Sequence, residues 1–143
     1  VKHFLKRRWF RTLPNYYLIL LVNILIAAAI GYETPSVWKY FIFLQNFSSE
    51  MLPFFPESWS LSIEEFAYIF LPLTLLILVS VFKSASRTKL FIIATALLIA
   101  LCVLLKLQYN AASGTTTLEQ WNLSLKMVVV YRLDSIFIGV ACS

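Results

Sequence analysis

Two adjacent carboxylates, Glu64 and Glu65, hold the strongest potential for chemistry in this chain, because they stand at the head of an apolar run. They close the octapeptide Ser58-Trp59-Ser60-Leu61-Ser62-Ile63-Glu64-Glu65, and no charge follows from Phe66 to Phe82. An ionised side chain at membrane depth costs about 2.5–3.5 kcal/mol on insertion scales, so such groups normally face a polar cavity or a partner. If Ile63 onward is helical, Ser60, Glu64 and Tyr68 recur every fourth residue and share a face. A carboxylate flanked by a hydroxyl and a phenol is equipped for general acid or base work. The same residues also suit a simple helix start at the membrane boundary. Ser60 or Ser62 would then be the cap, with the glutamates favoured by the helix dipole.

Two other charged groups can bear on this pair. In Arg7-Arg8-Trp9-Phe10-Arg11, Arg8 and Arg11 are three apart and share a helical face. Two guanidiniums so placed can grip phosphates in bidentate fashion, or they anchor the chain at the cytoplasmic boundary beside an interfacial Trp. Tyr131-Arg132-Leu133-Asp134 sets a cation and an anion inside the last apolar run. Arg132 can pair with a buried glutamate of another helix or with a ligand phosphate, Asp134 orienting it; alternatively the two are a structural ion pair that fixes helix packing. His3, the single histidine, stands among boundary basics and reads as solvated. Cys102 and Cys142 lie in apolar segments without metal-ligand spacing, so they read as buried packing residues and no metal is expected.

The elements that position these groups follow from composition. Hydrophobic residues make up 60% of the 143 and charged residues 13%, with a mean hydropathy of +0.80. Soluble domains carry about 25% charged residues, so the chain lacks the polar surface to cover a globule in water. It reads as an integral membrane protein. The net charge of +5 concentrates in Lys2 to Arg11 and Lys83 to Lys89, each beside an apolar run. Clusters so placed set orientation and touch anionic lipid; with no accompanying fold motif they do not indicate nucleic acid.

A hydrocarbon core about 30 Å thick needs roughly 20 apolar residues in a helix. Leu13 to Tyr32, Ile63 to Phe82 and Leu90 to Leu107 qualify, and Val128 to Cys142 begins a fourth. Trp38 to Phe55 holds Lys39, Gln45, Asn46, Glu50 and Pro53 and is expected to be a short crossing or a re-entrant piece. The fold class expected is therefore all-α, a polytopic transmembrane helix bundle with about four spans plus one short or re-entrant segment. Pro14 is expected to open the first span, Pro72 to kink the second, and Asn23 to bond between helices. Placing both basic clusters in the cytoplasm requires an even number of crossings between them, which puts Trp38–Phe55 on the outer side. The polar loop Gln108 to Leu125 before the last run is then external. The basic start followed by a long apolar run does not fit a signal peptide. Residues 1–143 are read as an internal piece of a single transmembrane domain, incomplete at both ends.

Three of these signatures, taken in order, resemble the acyltransferase 3 family of multi-pass membrane proteins. Arg8-x-x-Arg11-Thr12-Leu13-Pro14, followed by Tyr16-Tyr17, is similar to that family's Arg-x-x-Arg motif. Phe43-Leu44-Gln45-Asn46 and then Trp59-Ser60-Leu61-Ser62-Ile63-Glu64 resemble its Trp-Ser-Leu-x-x-Glu region, and Tyr131 to Asp134 resembles the segment of its later arginine. The resemblance implies transfer of an acyl group, typically acetyl, from acetyl-CoA or another acyl-CoA to a hydroxyl of a sugar or cell-surface glycan. It implies CoA contacts from Arg8, Arg11 and Arg132. It also implies a catalytic Glu64 with Ser60 and Tyr68 beside it, and a site lined by Trp59, Glu65 and Asp134. No bound cofactor is implied, the acyl-CoA being a substrate, and the expected place is the bacterial inner membrane. Two departures stand out. Where relatives commonly read Glu-Gln-Phe-Tyr, this chain reads Glu65-Phe66-Ala67-Tyr68, and His3 does not match the histidine of the family's earlier helix. The stretch alone is expected to be inactive. A transporter or flippase-like protein, or a relative without catalysis, is the competing expectation.

Overall fold

Long runs of Leu, Ile, Val and Ala interrupted by only three glycines favour helices, and helices are what form. A computed structural model describes residues 2–34, 36–83, 85–112 and 117–142, without the side chains of residues 2–4 and 112. The reading of His3, and residues 113–116 of the polar loop, lie outside that description. Helix α1 spans Lys2–Ala29, α2 Trp38–Phe41, α3 Trp59–Val81, α4 Arg87–Ala112, α5 Leu118–Trp121 and α6 Val129–Ala141. No strand occurs among the described residues.

Helix α1 starts well before the expected Leu13, because Lys6, Arg7, Arg8 and Arg11 are good helix formers that carry the helix through the basic cluster. Pro14 consequently sits inside the helix and not in its first turn. The stop is chemically explicit. Gly31 takes a positive φ of 69°, its N–H donates to Ala28 O at 3.4 Å, and the Tyr32 N–H reaches Ala27 O at 2.8 Å. This is a Schellman ending, in which glycine adopts the left-handed conformation without Cβ strain. Helix α3 follows a tight 3₁₀ turn at Pro56–Ser58, with Ser58 at the cap position and no side-chain cap bond. Neither Ser60 nor Ser62 is therefore the cap. Pro72 lies inside α3, where it was expected.

Among the described residues, three helical stretches are long and apolar enough to cross a membrane: Leu5–Ala29, Pro56–Val81 and Arg87–Ala111. The expected fourth span is the 13-residue α6, which rises only about 20 Å. It packs closely on α4 and also on α3. Ile63, Ala67, Cys102, Val129, Leu133 and Phe137 form the core of that three-helix unit. Cys142, by contrast, is exposed.

The segment between α1 and α3 is neither a full helix nor a loose loop. After the single turn of α2 it folds back against α1, where Tyr16, Leu20, Tyr40 and Met51 form a second buried cluster. Tyr16 and Tyr17 donate their hydroxyls to the carbonyls of Tyr40 and Phe41, both at 2.9 Å. The Tyr40 hydroxyl donates to Leu52 O at 3.0 Å and accepts from the Phe55 N–H at 3.2 Å. Phe43 adopts a left-handed φ of 60°, a state costing on the order of 1–3 kcal/mol for a bulky residue, and its ring lies 4.9 Å from that of Tyr16. The sharp turn at Phe43 precedes two side chains with no exposure, Gln45 and Asn46.

The order of contacts fixes the direction of the long helices. Near its start α1 meets Glu64, Glu65 and Tyr68, whereas two turns later Tyr16 packs beside Phe55, just ahead of α3. Helices α1 and α3 therefore run antiparallel and overlap only near their starts. From Arg8 to Ala29 the chain rises about 30 Å, and from Glu65 to Val81 about 24 Å the other way.

Candidate functional site

The overlap of α1 and α3 holds the most concentrated polar chemistry in the molecule. Arg8 lies six residues into α1 and turns inward, its side chain 13% exposed. One guanidinium nitrogen binds Glu64 Oε2. Its Nε faces Glu65 Oε1 at 3.8 Å, and its central carbon sits 3.7 Å from the centre of the Tyr68 ring. The flat cation is thus held on its edge by two carboxylates and on its face by an aromatic ring, an arrangement available to Arg and not to Lys. Trp9, the next residue, donates its indole N–H to Glu65 Oε2 at 2.8 Å.

The two glutamates differ in access. The Glu65 side chain is 6% exposed and that of Glu64 is 45% exposed. Residue spacing explains the split: successive helical positions are rotated by about 100°, so neighbours cannot face the same way. Buried Ser58, Ser62 and Glu65 occupy the inward face of α3 and its leading turn, while Glu64 lies toward its rim. Glu65 Oε1 and Arg8 Nε are buried and hold each other by charge across 3.8 Å without a hydrogen bond.

Behind this centre a second, neutral network fixes the rotation of α3. Gln45 donates through its amide to Ser58 Oγ at 3.1 Å and Ser62 Oγ at 2.7 Å. Asn46 donates to the carbonyls of Trp59 at 3.3 Å and Met127 at 2.6 Å. Its own carbonyl accepts the Val129 N–H at 2.9 Å, and that of Phe47 accepts from Val130 at 3.2 Å. Two of the otherwise orphaned donors of the first turn of α6 are satisfied in this way. Residues 45–47 consequently tie the starts of α3 and α6 together.

Several residues expected at one site are dispersed. Ser60 is exposed and stands apart from the buried serines; the hydroxyls turned inward are those of Ser58 and Ser62. Arg11 is also exposed, so the guanidiniums of Arg8 and Arg11 do not act as one inward pair. Arg132 joins neither glutamate among the described ion pairs, and Asp134 pairs with Lys106 Nζ at 2.5 Å, on the seam of α4 and α6. Trp59 is half-buried between the two core clusters, where it serves packing. Asn23 donates to Ile19 O of its own helix at 3.0 Å and not across helices. Glu64, Glu65 and Tyr68 do converge, with Arg8 between them.

Trp9 and Lys106 were not among the expected site residues, and Gln45 was read only as part of the short segment and of the family resemblance. Trp9 read as an interfacial anchor, because adjacency in sequence says nothing of which carboxylate a side chain will meet. A signal for Gln45 was present: an amide pair in a segment too short to cross requires buried partners.

Chemically, the centre offers one accessible carboxylate whose position is fixed by a cation, beside a phenol, where the basic start of α1 meets the head of the apolar α3. It can accept a proton or orient a hydroxyl. The comparison with known proteins adds nothing to that chemistry: no family model, curated protein or solved structure matches the chain.

Proposed function

We propose that the chain forms part of a membrane acyltransferase that moves an acyl group, acetyl first among them, from acyl-CoA to a hydroxyl of a sugar or cell-surface glycan. The observation that supports this reading most is the half-exposed Glu64, clamped by the inward-turned Arg8 beside Tyr68 at the head of the apolar α3. A carboxylate so held is fitted to bind and orient an acceptor hydroxyl. The motif resemblance supplies the reaction class. In the reaction that the resemblance implies, the hydroxyl gives its proton to a general base, its oxygen attacks the thioester carbonyl, and CoA leaves as the thiol after taking up a proton. Arg11, exposed on the first turns of α1, meets the phosphates of the donor.

The proposed setting is the bacterial inner membrane with Lys2–Arg11 and Lys83–Lys89 both toward the cytoplasm. A second reading, a transporter or flippase-like protein, draws on the buried Gln45 and Asn46 in a non-helical return segment, a feature suited to lining a substrate path.

The test is acetyl-CoA turnover by membranes carrying the protein, compared with Glu64→Gln at matched expression. Release of CoA with labelled acetyl entering glycan, abolished by the variant, is the expected result. Passage of intact glycan without CoA release would replace the enzyme by the transporter, and neither activity would leave a relative without catalysis.

A further inference from the structure

The sequence pattern couples Arg8 with Arg11 as a donor-phosphate grip, but their surroundings differ. Arg11 is exposed on α1, whereas Arg8 is turned inward and occupied on three sides. Glu64 and Glu65 take its edge, and Tyr68 covers its face at 3.7 Å. A phosphate approaching Arg8 would have to displace a carboxylate at close range and would meet the repulsion of both glutamates. Arg11 is exposed and has no carboxylate paired with it among the described residues.

From this we infer that Arg8 is a positioning residue for the glutamate pair and that it does not bind the donor. It fixes Glu64 through direct contact. It fixes Glu65 by charge, together with the indole N–H of Trp9, which comes from the next position of the same helix. Arg8 and Trp9 thus form one clamp on α1: the arginine sets the accessible carboxylate and the tryptophan holds the buried one. This assignment rests on the acyltransferase reading only for its kinetic consequence. The clamp itself is a statement about geometry, so it can be judged without turnover.

The experiment uses the protein in membranes with 5-fluorotryptophan in place of Trp, the Trp9 fluorine resonance being identified by its loss in Trp9→Phe. Glu65→Gln, which alters the acceptor of the indole bond, marks the shift expected when the clamp opens. Arg8→Gln is expected to move the Trp9 resonance in the same direction, and the double variant to move it no further. Arg11→Ala is expected to leave it in place. In turnover, Arg8→Gln is expected to lower kcat about tenfold or more with the acetyl-CoA KM unchanged, while Arg11→Ala raises that KM. If Arg8→Gln does not reach the membrane, Arg8→Lys replaces it: the charge is kept but the flat fork is lost, so the same split between kcat and KM is expected. A Trp9 resonance indifferent to Arg8, or an Arg8→Lys variant whose defect lies in the acetyl-CoA KM, would overturn the inference. If the unaltered protein transfers no acetyl group, the functional reading fails, and the fluorine spectra still decide whether Arg8 holds the carboxylates.

Discussion

Among the described residues two ionic centres lie within the helices, and they are built on opposite plans. On the seam of α4 and α6, Lys106 and Asp134 form a one-to-one pair, 28% and 13% exposed, in the most closely packed part of the molecule. Between α1 and α3, a single Arg8 serves two carboxylates, one of them nearly half exposed, where the helices touch mainly through long side chains. The first arrangement balances its charge and closes. The second leaves an excess negative charge and an accessible oxygen. Charge balance and access, more than the mere presence of ions at membrane depth, separate a packing device from a place where a substrate can be held.

The largest effect expected tests the packing half of that contrast. Lys106→Ala should destabilise the protein by about 3 kcal/mol, because it strands a largely buried carboxylate, whereas Lys106→Leu/Asp134→Leu should restore most of the loss. Unfolding in mixed detergent micelles, followed by circular dichroism, measures both. A double variant as unstable as the single one would mean that the pair does more than hold two helices together.

Glu64→Gln should show the reverse profile. Acyl transfer should fall by about 100-fold, equivalent to about 2.7 kcal/mol in the barrier, with stability altered by less than about 1 kcal/mol. Equal losses of stability and activity would move this centre into the same class as Lys106–Asp134. Asn46 connects the two regions, and Asn46→Ala should cost about 2 kcal/mol through the loss of its two amide donations to backbone. The loss should appear in the unfolding of α3 and α6 together, readable by hydrogen exchange at both helix starts.

Smaller effects sharpen the picture of the open site. Tyr68→Leu removes the ring beneath Arg8 and should cost about 1 kcal/mol in stability, a figure in keeping with cation–π contacts at partly buried positions. Ser60→Ala should be silent, within about 0.5 kcal/mol in stability, with no change in turnover, since its side chain faces outward. A strong defect there would show that the outward face of α3 contributes to the site.

Much of the architecture was legible in the sequence, and the reasons are physical. Apolar runs of span length identify three of the helices, Pro72 lies inside α3 as the pattern predicts, and the amide-bearing segment forms no spanning helix. What the pattern could not supply is partnership. A period of 3.6 places Ser60, Glu64 and Tyr68 on one line, but where that line points depends on which helix lies opposite. The answer divides the line, with Glu64 and Tyr68 against Arg8 and Ser60 outside. The depth of the first helix was missed for a different reason. Basic residues read as a boundary, yet Lys and Arg also favour helix, and the helix continues through them. The pairing of Asp134 with Lys106 instead of Arg132 was beyond any local rule, because the choice is made by the facing helix.

The short overlap of α1 and α3 has a consequence for the lipid. Membrane-spanning helices alter their tilt when bilayer thickness changes, at modest cost per ångström of mismatch. Here the two helices meet at the clamp, so a change of tilt acts on the distance between Arg8 and the two glutamates. Acyl-chain length in reconstituted vesicles becomes a dial on the geometry of the site, with no residue changed.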